Sequence, residues 1–533
     1  MHNKLNWNIK SKSNFFTSEV LNKIVTFIPI TLGIFFWIYF ILQLFVVSGP
    51  YFLDAGLLGY NFSHGWRGAP QPEITQIMGG SQGSIQSQLQ FHFYLFPSLL
   101  FGWIEFIIPQ AAQTFVAVLG VVVLTSLFFA FVGYKIARNL FGSNTSLLNS
   151  LIAGLTGLSM LLLRPGSGSI GYPHVEFLGS GIAAAGLVLY RNRPKIAWVF
   201  IICGLLTRED MGFHLAALAL GVLLIEKSLC SNYSRKFWSQ LMMLGIISSI
   251  FQFVVKFFVG SGPNFLVAQF GNDWRNRFTF LNFTSGLSLF LAAHLGLVLI
   301  YFGLYVIAKL NRDLRFNIPL ISSLPWLIFN IFSTDPARQS LNTYFTFPLI
   351  LGFAYLAVVE TRFFHRTEID ESKEENFTSQ HKQTKIVPLT FIFAATIGML
   401  ASTPSGDFVS TLGLIQGQKP RVSEVYPTLE SSLKISQGLI DGQSLIVDDA
   451  VLSLNPDVSK NLRVFDGKNL KNSDVALYFP HYAFNSALIE SLESQKFQVY
   501  CMRDSNLAFA TRSLSPYFED LTLTKASDFR PFC

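Results

Sequence analysis

The chain has 533 residues, half of them hydrophobic and only 13% charged, with a net charge of +7 and a mean hydropathy of +0.42. Soluble domains carry about 25% charged residues, so this composition excludes a soluble globular enzyme and reads as an integral membrane protein. The basic residues are scattered over loops between apolar runs, as the orientation rule explains; this excludes nucleic acid as a partner and leaves membrane lipids.

The first 23 residues are polar and basic. The apolar run from Ile24 to Val47 is too long for the core of a cleaved signal and lacks a small-residue cleavage pattern, so it reads as an uncleaved first span. Apolar runs predict eleven spans, near 24–47, 112–134, 146–163, 174–190, 195–208, 210–226, 237–259, 285–308, 317–333, 341–360 and 386–402. With the N-terminus inside, cytoplasmic segments collect twenty Lys and Arg against seven in the opposite loops and span ends. The predicted topology is therefore that of a bacterial inner-membrane protein with a cytoplasmic N-terminus and an extracytoplasmic C-terminal domain.

The first outer loop, 48–111, holds Asp54, His64, Glu73 and His92 and ends in FHFYLFPSLLFGWIEFIIP. That last stretch reads as an interfacial or re-entrant helix, because counting it as a span would invert every later loop against the charge bias. Between spans three and four, RPGSGSIGYPHVEF ends one helix with glycine and proline and opens the next with Tyr172, His174 and Glu176. Next comes LLTREDMGFHLAALALG, 205–221, with Arg208, Glu209 and Asp210 in a row between two short apolar runs. Charges in a membrane cost a few kcal/mol each and mark sites. A helical hairpin carrying them in its turn, at one membrane face or slightly inside it, is the economical reading. His214 lies one helical turn beyond Asp210, a spacing that favours a local hydrogen bond over a ligand role.

Two further outer loops, GNDWRNRF (271–278) and STDPARQSLNTY (333–344), carry aromatic-flanked ionisable residues, whereas the inner HRTEIDESKEEN (365–376) reads as a solvated linker. From 403 to 533 the composition changes to that of a small α/β domain. Helical patterns cover Val425 to Leu439 and Ala483 to Ser494, and strand-like runs fall at 444–450, 462–465, 475–480, 497–503 and 507–512. No Gly-rich phosphate loop occurs there. Cys501 and Cys533 share this domain and can pair if it is extracytoplasmic.

A carboxylate confined at a membrane face, such as Asp54, can act as a general base or hold a divalent cation against a phosphate; capping its own loop is the plainer role. No spacing matches a zinc motif, and the metal, like any cofactor, stays unknown with a divalent cation open. Arg164, Arg208 and Arg338 are isolated cations at outer span ends, suited to bidentate phosphate recognition or to snorkelling.

Asp54 soon after the first span, HFYLFPSLLFG (92–102), YPHVEF (172–177) and LLTREDMGFHL (205–215) together resemble a bacterial and archaeal membrane-protein family of unknown function. That family carries an HxE-like pair and a K/R-E-D triplet in these segments. It resembles in turn the GT-C glycosyltransferases, which use polyprenyl-phosphate sugars. The resemblance spans about residues 24–360. It implies an all-α polytopic GT-C-like fold over 1–402 with catalytic acids at Asp54 and Glu176. It also implies substrate contacts from His92, Arg164, His174, Arg208, Glu209, Asp210, Arg338 and Tyr344, and a polyprenyl-phosphate-linked sugar as partner. GT-C enzymes often pair two acids in the first loop, whereas Asp54 stands alone. The expected activity is transfer of a sugar from that donor to an extracytoplasmic acceptor. A transporter or lipid-binding protein is the non-enzymatic alternative, although no inverted repeat is evident. Two arrangements of the triplet are open. Arg208 pairs with Glu209 or Asp210 as a structural unit, or it holds the donor phosphate while the carboxylates orient Asp54 or a cation; the second is the expectation.

Overall fold

The computed structural model describes residues 95–108, parts of 116–139, then 175–226, 232–259, 269–311, 313–341, 347–359, 434–439, 443–447 and parts of 462–529. The spans expected at 24–47, 146–163 and 386–402 lie outside the described residues, as does the loop from 48 to 94.

Two short helices come first, α1 (Leu95–Phe101) and α2 (Ile104–Ile107), interrupted at Gly102 and Trp103. Phe101 and Ile104 are buried against Val175, Leu178 and Ile182, while Leu99, Trp103, Phe106 and Ile107 face outward. The chain then forms α3 (Val175–Leu189), α4 (Pro194–Leu205) and α5 (Met211–Ile225). From Val175 to Val188 every residue of α3 is buried, as expected of a helix apolar on all sides. Its contact with α4 is made by small residues. A Cβ on Gly204 would lie 2.8 Å from the Ala183 Cβ and 2.9 Å from the Gly179 carbonyl oxygen, the close backbone approach that membrane helices use.

Helix α6 (Asn232–Val259) packs on α5 through a second glycine pair, Gly212 and Gly245. Its outer stripe is apolar, with Met243, Ile247, Ile250, Phe251, Val254 and Phe258 exposed, while Ser249 and Gln252 are buried. Gln252 donates to the Leu205 carbonyl at 2.9 Å and to the Ser248 hydroxyl at 2.8 Å. A soluble helix turns its apolar stripe to the core; this one turns it outward and its polar groups inward. Among the described residues, two helical stretches, Ser234–Val255 and Leu314–Ile331, are long and apolar enough to cross a membrane.

The apolar run 285–308, expected as one span, is two helices, α7 (Phe280–Ala293) and α8 (Leu295–Asn311), meeting at His294. The His294 backbone leaves helical values (φ −128°, ψ 38°), and its buried ring reaches within 3.1 Å of the Leu341 carbonyl oxygen. Helices α9 (Ile318–Ile331), α10 (Pro336–Gln339) and α11 (Phe347–Ala354) follow, the last continued by a 3-10 turn, Tyr355–Ala357. At the bundle end away from the Arg208 turn, Tyr355 donates to Glu226, and Arg315 grips both oxygens of Asp313, with Nε 2.8 Å from Oδ1 and Nη2 2.6 Å from Oδ2.

In the C-terminal region a six-stranded mixed sheet has the order β2-β1-β3-β5-β4-β6, formed by β1 (Leu445–Val447), β2 (Leu462–Val464), β3 (Val475–Tyr478), β4 (Gln498–Met502), β5 (Ala508–Thr511) and β6 (Leu523–Lys525). β1 is parallel to both β2 and β3, and the remaining pairs are antiparallel. Helix α12 (Ser486–Ser494) packs Leu488, Ile489 and Leu492 against Ile446, Ala476 and Val499. Five strands fall where the alternation placed them; β6 was not foreseen. Cys501 on β4 is disulfide-bonded to a partner outside the described residues, while Cys203 is free.

Candidate functional site

The charged turn between α4 and α5 is built by local chemistry. The α4 helix ends where Thr207 folds its hydroxyl back onto the Gly204 carbonyl at 2.5 Å, and Met211 reopens a helix with its amide on the Arg208 carbonyl at 3.2 Å. Asp210 occupies the N-cap of α5, where a carboxylate ordinarily accepts from the first turn's amides. It makes no such side-chain bond. Its Oδ1 instead lies 3.2 Å from Arg208 Nε, and its Oδ2 lies 3.9 Å from His214 Nε2.

Arg208 also reaches across to α3, where its Nη1 donates to Glu176. Thus one guanidinium joins carboxylates from two helices, Glu176 only 4% exposed and Asp210 with 15% of its side chain exposed. The Phe347 ring at the start of α11 lies under the guanidinium, 5.9 Å from centroid to Arg208 Cζ. The His214 ring meets Phe347 edge-on at 5.0 Å and Trp326 of α9 edge-on at 4.8 Å. Glu209 is buried beside them in sequence, 3% exposed.

Helix α5 begins at this cluster with Asp210 as its N-cap, and Glu176 of α3 and Phe347 of α11 meet it there. Helix N-termini carry about half a positive charge each and bind anions through unpaired amides. The cluster sets one guanidinium against the carboxylates of Glu176 and Asp210, with Glu209 buried in the same turn. Helices α4 and α5 rise roughly 18 and 22 Å at about 1.5 Å per residue, each shorter than the ~30 Å hydrocarbon core of a bilayer.

Helix α1 reaches the same place. The Phe96 amide of α1 donates to the Leu206 carbonyl at 2.9 Å, so the stretch that follows His92 is pinned beside the Arg208 turn. Arg338 belongs to a separate polar cluster. It donates to the Gln269 side chain at 2.5 Å and lies 3.5 Å from Asp335, and Gln269 donates to Asn330 at 3.2 Å. Asn330 stands one turn beyond Trp326 on α9 and donates to its carbonyl at 2.9 Å, which links the two clusters through one helix. Asp54, His92, Arg164, His174 and Tyr344 lie outside the described residues.

The structure pairs Arg208 with Asp210, as in the first of the two arrangements, and with Glu176, which neither arrangement named. The hydrogen bond expected between His214 and Asp210 is a longer, 3.9 Å approach. Phe347 and Trp326 were missed by sequence reasoning, and nothing in FTFPLIL or SSLPWLI distinguishes them from core aromatics. Among the described residues no group of three or more His, Cys, Asp and Glu is gathered as for a metal.

No protein-family model matches the chain, and no curated protein matches it. A solved structure similar to it is that of ArnT from Cupriavidus metallidurans bound to undecaprenyl phosphate, 13% identical, with 86% of this chain and 97% of that chain covered and a TM-score of 0.42.

Proposed function

We propose that this chain is a polytopic inner-membrane glycosyltransferase that takes a sugar from a polyprenyl-phosphate donor and places it on an extracytoplasmic acceptor. The observation that carries the reading is the Arg208 guanidinium, bonded to Glu176 of α3, facing Asp210 at the N-cap of α5 and lying over the Phe347 ring of α11. Planar guanidinium suits a phosphate in two-pronged fashion. The charge that grows on the departing phosphate is what a guanidinium beside a helix N-terminus stabilises. In the proposed step, Asp54 takes the proton of an acceptor hydroxyl, the acceptor oxygen bonds to the sugar's anomeric carbon, and the bond from that carbon to the phosphate oxygen breaks. Glu176, already on Arg208, sets the guanidinium's position.

The C-terminal domain lies outside in this reading, and the Cys501 disulfide supports that side, because such bonds persist in oxidising compartments. The test is incubation of the purified full chain with labelled polyprenyl-phosphate sugars and lipid, glycan or protein acceptors. Transfer that Asp54→Asn abolishes is the expected result; absence of transfer to every acceptor class removes the reading.

A further inference from the structure

We infer that His214 is a positioning residue whose protonation moves Asp210 off Arg208 and so opens the guanidinium to a lipid phosphate; this rests on the function proposed above. A guanidinium engaged by two carboxylates has little edge left for a phosphate. Glu176 holds the Nη1 end and Asp210 faces Nε at 3.2 Å. The second oxygen of Asp210 faces His214 Nε2 at 3.9 Å, inside ion-pair range and too long for a hydrogen bond. His214 Nε2 is buried and has no hydrogen-bond partner, in a side chain 10% exposed. Its ring is wedged edge-on between Trp326 and Phe347, so the contact closes by movement of the Asp210 carboxylate.

Imidazole is the side chain that gains charge between about pH 8 and 5. Neutral His214 leaves Asp210 with Arg208. A proton taken from solvent makes His214 the competing cation, draws the Asp210 carboxylate the roughly 1 Å it lacks for a hydrogen bond, and turns it from the Nε edge. The groups around the ring are few. The turn presents Arg208, Glu209 and Asp210, and α3 presents Glu176 through Arg208. Among the described residues, α9 brings Trp326 and α11 brings Phe347 against the ring itself, while α6 packs Ser249 and Phe253 on the neighbouring Phe213. Neither α9 nor α11 contains an Asp, Glu, Lys, Arg or His.

The experiment measures binding of undecaprenyl phosphate to the detergent-solubilised full chain from pH 8 to 5.5, with undecaprenol as the uncharged control. Wild type should bind the phosphate tighter at pH 5.5, and the ratio of Kd at pH 8 to Kd at pH 5.5 should exceed that of His214→Gln by about tenfold, an ordinary size for coupling between two sites. The phosphate's own second ionisation acts on both proteins alike, so their difference isolates His214. Asp210→Asn provides a second route, with tight binding that no longer varies with pH beyond the phosphate's own titration. Equal pH profiles in wild type and His214→Gln, or an unchanged profile in Asp210→Asn, overturn the inference while the phosphate site stands. Failure of wild type to discriminate undecaprenyl phosphate from undecaprenol at any pH overturns the site itself.

Discussion

Replacing Arg208 by alanine removes one cation from between two carboxylates. Glu176 is nearly sealed from solvent and Asp210 largely so, and breaking a buried pair from one side costs about 3–5 kcal/mol because the remaining charge stays buried. Loss of the guanidinium's contact with Phe347 adds up to about 1 kcal/mol. A destabilisation of this size is measurable as a shift in the unfolding midpoint of the detergent-solubilised protein. Arg208→Lys should fall in between, since a compact ammonium cannot span both carboxylates as the planar fork does. The double variant Arg208→Ala, Glu176→Gln should recover part of the loss, because the more deeply buried of the two stranded charges is gone. An Arg208→Ala protein that unfolds at the wild-type midpoint would refute the pairing as a source of stability, and an unrecovered double variant would refute the buried charge as the cause.

Gly212→Leu should destabilise the chain by about 1–3 kcal/mol or more, because even a Cβ there lies 2.2 Å from the Gly245 carbonyl oxygen; the unfolding midpoint reports it. Cysteine labelling in intact cells should find Ser81 and Ser459 outside and Ser372 inside, and an inner Ser459 would sink the orientation together with the active face. The isolated 403–533 fragment should fold, with circular dichroism showing mixed α/β content, since its sheet and helix share a core of their own. Burial holds the Tyr500 phenol above its ordinary range. The folded fragment therefore keeps that proton longer than the unfolded chain, and the stability Tyr500 contributes is complete below about pH 10 and lost as pH rises further. Thermal melts of Tyr500→Phe should show a weaker alkaline loss.

The hairpin of α4 and α5 was legible because three adjacent charges between short apolar runs allow few other folds. His214 was legible as a neighbour of Asp210 because one helical turn fixes that relation locally. The bond from Arg208 to Glu176 joins residues 32 apart on different helices, and no periodicity encodes which carboxylate a turn will face once helices pack. The break at His294 was hidden because the apolar run continues on both sides, and only a single polar ring marks it; the carbonyl of Leu341 that draws it comes from another part of the chain. Strand β6 escaped although LTLTK alternates apolar and polar residues, because a three-residue, mostly exposed edge strand is too short a run to stand out.

Strand β6 also bears on biogenesis. The sheet's last strand in sequence pairs with β4, while the Ala526 amide donates to Val499 and the Tyr478 hydroxyl to the Phe529 carbonyl. Helices can enter a bilayer one after another as they are synthesised, but this sheet cannot close until Leu523–Lys525 has been made. A product truncated before Leu523 would keep every described helix and every other strand, yet would present Gln498–Met502 as an open edge to whatever strand a neighbouring molecule offers.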